Sequence, residues 1–364
     1  MMNARRLLGL FGLILVVGFV VAYWPTTTGP PTAAEPPEGM LAPHRPELVG
    51  PWEEVARVPA ERLGRGAIVD LDEYQDTLYI AQRDRWFWVA DDAVSEPLGS
   101  PTQGSPTWLG AAVAIRGVAG GAVILDRGRN MVSHWRLDGT RGVETDLRPR
   151  DGLAVIVDGV AAQADGTLLV SVRRILVDGD GEWIVLRGVI GPARFDTVYR
   201  GAKDPREAEA HNSPKLAVAP DGSFLIAPAL EWKFISVSRA GTVLGDRSRE
   251  DGPRWAVPDS IRRQYQTLLE RFPPAHRVAH ALPATFPPVR ALSSHSQGNL
   301  LVLVASGPEE THVELLDANA VPISRLWPAP ESLSIFLANG AVFRVRETAD
   351  FTIIERQRLR PAPD

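Results

Sequence analysis

The sequence predicts an all-β fold, a six-bladed β-propeller, and three observations carry that expectation. First, an apolar strand, a tight turn with Gly or Asp at its tip, and a second apolar strand recur six times between Ile68 and Phe343. Second, the tips fall at Asp76, Gly121, Gly166, Gly222, Gly298 and Gly340, at spacings of 45, 45, 56, 76 and 42 residues. A period near 45 is that of one four-stranded propeller blade. Third, the chain of 364 residues is 45% hydrophobic and 23% charged, a globular composition with enough apolar side chains to fill the spaces between blades. A single blade cannot bury both of its faces, whereas six packed radially can.

The elements follow in chain order. Arg5 and Arg6 precede an uncharged apolar run from Leu7 to Trp24, eighteen residues long. As a helix it spans roughly 27 Å, close to the hydrocarbon thickness of a bilayer. Basic residues before the run, and none after it until Arg45, place the N-terminus in the cytoplasm and the remainder on the periplasmic side. A retained signal-anchor helix over residues 1–24 is favoured over a cleaved signal peptide, because the run is long and Val20-Val21-Ala22 is a poor cleavage site. Residues 25–51 are rich in Pro, Thr, Ala and Glu without periodicity and read as an extended tether.

The propeller is expected over residues 52–360. Blade one takes Ala67 to Leu71, Leu78 to Gln82 and Trp86 to Ala90. Blade two takes Ala111 to Arg116, Ala122 to Asp126 and Met131 to Leu137, with a fourth strand near Val143. Blade three begins at Val160, turns at Asp165-Gly166, and passes through Asp178-Gly179-Asp180-Gly181 into Trp183 to Leu186. Blade four starts at Leu216 and continues through Trp232 to Val237. Blade five takes Val289 to Ser293, Leu300 to Val304 and Val313 to Leu316. Blade six has only three strands of its own, ending at Thr352 to Arg356, and an open ring would leave unpaired edges. The stretch Trp52 to Val58 is therefore expected to complete blade six as its outermost strand.

Blade two carries the clearest motif: Val113, Ile115, the turn at Gly121, Val123, Leu125, Asp126, Asn130, Val132, Asp138 and Gly139. In these residues it resembles the NHL repeat, and the chain as a whole resembles six-bladed NHL-like propellers. With the N-terminal segment, the resemblance implies a membrane-anchored bacterial member of that type.

Two spacings exceed the common period, and the larger excess lies in residues 246–288. There Pro258-Asp259-Ser260 opens a helical pattern with Ile261, Tyr265, Leu268 and Leu269 on one side, stopped by Pro273-Pro274. Both insertions join the last strand of one blade to the first of the next. Those connections emerge on the same face as the hairpins between second and third strands, so one face is loop-rich and the other keeps minimal turns. Long loops on a rigid scaffold are where binding usually sits.

The loop-rich face offers Arg83, Arg85, Arg127 and Arg129 from blades one and two, with Arg173 and Arg174 in blade three. Blades four to six supply Glu231, Glu309, Glu310, Glu347 and Asp350. A face divided in this way would orient a charged partner. Near the axis, His211, Lys215 and Arg290 precede or begin inner strands and could hold a carboxylate or phosphate. Trp232 belongs to this binding set, and Trp108 and Trp255, in inter-blade loops, are candidates for exposed contact.

Several chemistries lack their residues. With no cysteine there is no disulfide, thiol nucleophile or cysteine-ligated zinc. His276 and His280 lack an acidic partner in the usual metal pattern, and the Asp178 to Glu182 cluster has too few oxygen ligands at calcium spacing. No nucleophile elbow, dinucleotide fingerprint or phosphate loop occurs, so no catalytic residues, metal or cofactor are assigned. A net charge of -5 argues against nucleic acid. The expected function is that of a membrane-anchored protein-binding or scaffold subunit, partnered within a membrane-associated complex. The alternative is a metal-assisted hydrolase or lyase with a cation in the central channel, for which Asp70, Asp158 and His211 are the available ligands.

Overall fold

The computed structural model describes residues 50–358 except 64–65, 92, 149–154, 176–180, 192–194, 202–212, 229, 250–254, 257–258, 260–261, 264–265, 268–269, 271–284, 287, 296–297, 306–310 and 327–333. Within these residues, six four-stranded antiparallel sheets form the blades. Blade one is β2 (Ile68–Tyr74), β3 (Thr77–Gln82), β4 (Trp86–Ala90) and β5 (Ala93–Val94). Blade two is β6 (Ala112–Val118), β7 (Gly121–Asp126), β8 (Met131–Arg136) and β9 (Arg141–Asp146). Blade three is β10 (Val155–Ala162), β11 (Thr167–Ile175), β12 (Gly181–Val189) and β13 (Phe195–Arg200). Blade four is β14 (Lys215–Val218), β15 (Phe224–Ala227), β16 (Lys233–Val237) and β17 (Val243–Ser248).

After a two-stranded ladder, β18 (Trp255–Ala256) with β19 (Thr285–Phe286), blade five is β20 (Val289–Ser294), β21 (Leu300–Ala305), β22 (Thr311–Leu316) and β23 (Pro322–Leu326). Blade six is β24 (Ser334–Ala338), β25 (Ala341–Glu347) and β26 (Phe351–Arg358), completed by β1 (Glu53–Pro59) in the order β1-β26-β25-β24. The expected closing strand is thus present. Ala56 pairs Ile354 and Val58 pairs Thr352, and a short helix, α1 (Ala60–Leu63), follows with Leu63 in the core.

Each innermost strand packs on the next, from β2 through β6, β10, β14, β20 and β24 back to β2, so the ring is closed. The core is divided to match, with one apolar cluster between each pair of adjacent blades. Strand β7 shows why. All six of its residues are buried, with Ala122 and Ile124 facing blade one and Val123 and Leu125 facing blade three. A period-2 strand with both faces covered is apolar along its length, and the one polar residue here, Asp126, stands at its end. Between blades one and two, Trp86 and Trp135 meet edge to face at 6.4 Å, filling the widening wedge.

Five of the six expected tips hold as positive-φ positions, and the tip of blade two is corrected to Gly120, at φ 78°. Gly121 already belongs to β7, where a Cβ would collide with the Trp135 carbonyl oxygen. Of the expected helical insertion, the described residues show the β18–β19 ladder and one i to i−4 bond, from the Glu270 N–H to the Gln266 carbonyl at 2.9 Å. Asp259, Arg262, Arg263, Gln266 and Thr267 are helical, and the residues between them lie outside the described ones, as do the anchor expected at 1–24 and all but the last two residues of the tether expected at 25–51. Among the described residues no helix is long and apolar enough to cross a membrane.

Candidate functional site

Four inner strands break register near their starts, where the connections of the loop-rich face lead in. The breaks lie between Ile68 and Asp70, Ala112 and Ala114, Val157 and Gly159, and Val289 and Ala291. The skipped residues are Val69, Val113, Asp158 and Arg290. A bulge leaves its extra residue unpaired and re-aims the side chain. In blades three and five, therefore, the re-aimed side chains are a carboxylate and a guanidinium.

Asp158 is the hub of a charged cluster. Asp126, fully buried at the end of β7, accepts from the Gly110 and Ala111 N–H groups at 2.8 Å each and from the Arg129 N–H at 3.2 Å. That grip fixes the β7–β8 hairpin so that Arg127 reaches blade three, where Nε donates to the Val157 carbonyl at 3.0 Å and Nη2 to Asp158 Oδ1. The other carboxylate oxygen, Oδ2, accepts from the Ser213 hydroxyl, and Ser213 in turn accepts from Lys215 Nζ at 2.7 Å. Lys215 Nζ lies 3.6 Å from Asp158 Oδ2. Burial pushes the Lys215 ammonium below its ordinary pKa; Asp158 opposes that, while Arg290 and Arg127 reinforce it. Burial likewise lowers Arg290. Arg127 and Lys215, from blades two and four, thus meet at a carboxylate of blade three, with Arg290 of blade five close enough to Lys215 to depress it.

At the other end of the channel, the last residues of the inner strands frame a cavity of 460 Å³ bounded by the minimal turns, with Asp72, Arg116, Leu216, Val218, Leu292 and Leu337 among its lining. Between the bulge of β2 and this cavity, charge satisfies backbone. Asp70 Oδ2 accepts from the Ile115 N–H at 3.0 Å and from Arg116 Nη1 at 2.5 Å, while Asp72 Oδ2 accepts from the Gly117 N–H at 2.8 Å. Two carboxylates at i and i+2 of β2 thereby cap the edge of β6 that no strand pairs. Burial pushes Asp72 up to about 6, against the attraction of Arg116 and the Gly117 bond.

The residues predicted for binding divide accordingly. Arg127, Lys215 and Arg290 come together. Arg83 is exposed on the β3–β4 hairpin, and its carbonyl accepts from the Ala112 N–H at 2.7 Å. Arg85 pairs with Asp84 at 3.2 Å. Arg129 pairs with Glu144 at 2.6 Å and lies over the half-buried Trp108 ring, 5.5 Å from its centroid. Trp232 is corrected: only 5% exposed, it packs edge to face on Phe234 at 5.4 Å in the core between blades four and five, so it offers no contact surface. His211 and the side chain of Trp255 lie outside the described residues, as do His276, His280, Glu309 and Glu310. The arginine sector is also less charged than its composition implied. Arg174 pairs with Glu182 at 3.5 Å, which likewise binds Arg200 at 3.0 Å.

Of the acids proposed for a channel cation, Asp70 and Asp158 each hold a guanidinium, and their other contacts among the described residues are to an N–H, a hydroxyl and the Lys215 ammonium, while His211 lies outside those residues. Among the described residues no group of three or more His, Asp or Glu side chains is placed to hold a metal.

Sequence reading missed Ser213 and the role of Asp158 as hub. The available signal was a polar residue interrupting an apolar inner strand, as Asp158 does in Val155-Ile156-Val157-Asp158-Gly159-Val160 and Arg290 does ahead of Ala291-Leu292.

No protein-family model and no curated protein sequence matches the chain. Among solved structures, it is similar to virginiamycin B lyase from Staphylococcus aureus at 12% identity, covering 85% of this chain and 100% of that one, with a TM-score of 0.45. It is similar to the calcium-binding protein regucalcin from Agrobacterium tumefaciens at 10% identity, covering 84% and 96%, with a TM-score of 0.47. It is also similar to a gluconolactonase from Xanthomonas campestris at 15% identity, covering 85% and 98%, with a TM-score of 0.46.

Proposed function

We propose that this propeller is a binding or scaffold subunit that presents its loop-rich face to a protein partner, held at the outer side of a cytoplasmic membrane by residues 1–24. One observation carries the choice between binding and cation chemistry. The channel carboxylates that a catalytic cation would need are occupied by Arg116 and Arg127, and the loop-rich mouth gathers cations instead. The apolar run from Leu7 to Trp24 and the Pro-rich stretch after it support the anchor and tether. The helical pattern of residues 259–270 would add an elaborated loop to the same face.

The test uses full-length protein recovered from solubilised membranes. A stoichiometric protein partner is expected, and it is expected to be lost when residues of the loop-rich mouth are exchanged. Recovery without any partner, or release of the protein from membranes by alkaline carbonate, would count against the reading. Stoichiometric calcium or zinc surviving dialysis would instead favour the metal-assisted hydrolase.

A further inference from the structure

We propose that the loop-rich mouth of the channel is an oxyanion site, in which Arg127 and Lys215, both held by Asp158, and Arg290 beside Lys215 receive a carboxylate or phosphate group. This deepens the binding reading by naming the chemistry that the partner or a small ligand must bring.

The geometry leaves donors for such a group. The Lys215 ammonium has three N–H bonds, and among the described residues one donates to Ser213 at 2.7 Å, while Asp158 at 3.6 Å lies beyond ordinary hydrogen-bond reach. Arg127 uses Nε on the Val157 carbonyl and Nη2 on Asp158, which leaves Nη1. A guanidinium and an ammonium with donors in hand, side by side, match the two or three oxygens of a carboxylate or phosphate.

Access is present as well. The side chains of Arg127, Lys215 and Asp158 are 30%, 24% and 20% exposed, so the cluster is desolvated but reachable. Asp158 holds Arg127 and, through Ser213, Lys215 in place; it is shared, so it satisfies neither completely. The arrangement is built into the backbone, because Asp158 and Arg290 are the unpaired residues of bulges in alternate blades with Lys215 opening the inner strand between them. Burial and the two neighbouring guanidiniums depress the Lys215 ammonium, and a bound oxyanion would reverse that effect.

The chain supplies its own probe, since Lys203, Lys215 and Lys233 are its only lysines. In full-length protein labelled with ¹³C at lysine Cε, three resonances are expected, with Lys215 assigned by its loss in Lys215→Met and titrating below the ordinary lysine range. Sodium phosphate and sodium acetate are added in separate arms at ionic strength matched with sodium chloride. The expected result is that at least one of them moves the Lys215 resonance, raises its titration midpoint, and loses about tenfold in affinity in Arg290→Gln. A response to phosphate alone assigns a phosphate-bearing ligand, and a response to acetate alone a carboxylate. If neither moves Lys215 beyond the chloride control, or if Arg290→Gln binds as tightly as the parent, the proposal is overturned. Should Lys215→Met not fold, Lys215→Arg assigns the resonance equally well. Partner recovery without any anion response would sink the oxyanion site alone, and an anion response without partner recovery would sink only the scaffold reading.

Discussion

The two ends of the channel use the same inner strands and the same kinds of charge for different ends. Running from the bulge of β2 toward the minimal turns, Asp70 and Asp72 lie two residues apart on one strand, accept N–H groups from its neighbour, and share one guanidinium. Every one of those charges closes a backbone edge. Toward the loop-rich face, one carboxylate is shared among cations from several blades, two of the participants ride on bulges, and donors remain. Strand ends supplied by minimal turns lend themselves to structural capping, and those supplied by long connections to recognition. An excess of like charge near a channel is the mark of a site awaiting an opposite one.

The largest effect that could break this contrast is expected from Arg116→Met. Removing the guanidinium leaves Asp70 and Asp72 partly buried without it, a loss of about 3 kcal/mol at pH 7.5. Denaturant unfolding in the presence and absence of phosphate checks it, and phosphate is expected to give no rescue. Next, Asp158→Asn sets Arg127 and Lys215 against each other and is expected to cost about 2 kcal/mol, with much of the loss recovered in phosphate. Equal responses of the two variants to phosphate would erase the distinction between the ends.

A smaller effect sharpens it through pH. Asp72 sits at about 6 in the folded chain against 3.8 for the free side chain, so the folded state binds the proton more tightly and stability falls as pH rises through that window. Asp72→Asn keeps an acceptor for the Gly117 N–H while removing the charge. It is expected to raise stability by about 1 kcal/mol at pH 7.5 and to change nothing at pH 3, where the parent carboxyl is neutral in both states. Thermal unfolding at the two pH values reads the difference, and a gain of the same size at both would discard the assignment. Smallest of all, Arg83→Gln on the exposed rim is expected to shift stability by less than about 0.5 kcal/mol, while slowing partner association at low salt. Stopped-flow or surface-plasmon rates at two salt concentrations would measure that.

The ring was largely legible because its signals are local. A glycine or aspartate at a tip, an apolar run on either side and a count of strands lead to six sheets, and the missing strand of blade six points to residues 52–58. Less legible were the outermost strands β13 and β17. Their faces are mostly exposed, down to Val243 at 55% and Leu244 at 61%, so no apolar alternation marks them. Gly121 passed for a turn tip because Gly120 and Gly121 are adjacent and only backbone dihedrals separate them. Trp232, expected in the binding set, stands between the polar Glu231 and Lys233, yet its ring turns into the wedge between blades.

The candidate site was legible in its parts and not in its assembly. Lys215 and Arg290 could be placed near the axis from strand starts alone. That Asp158 binds Arg127 across 31 residues and Ser213 across 55 is a property of radial packing. The sequence offers Asp158 equally well to a cation or to a guanidinium, and only the position of the β7–β8 hairpin decides.

The seam in blade six has a bearing on how the molecule comes into being. Glu53 pairs with Arg356, and Arg356 also reaches Glu73 across 283 residues, so β1 finds no strand to pair with until β26, already paired with β25, has been made. Until that moment the nascent chain carries a solitary ribbon at its leading end, and the entropy of drawing both extremities together is met in a single late event. Loss of only a few residues from the β26 end would therefore orphan β1 as well, unlatching the circle at both sides of one joint.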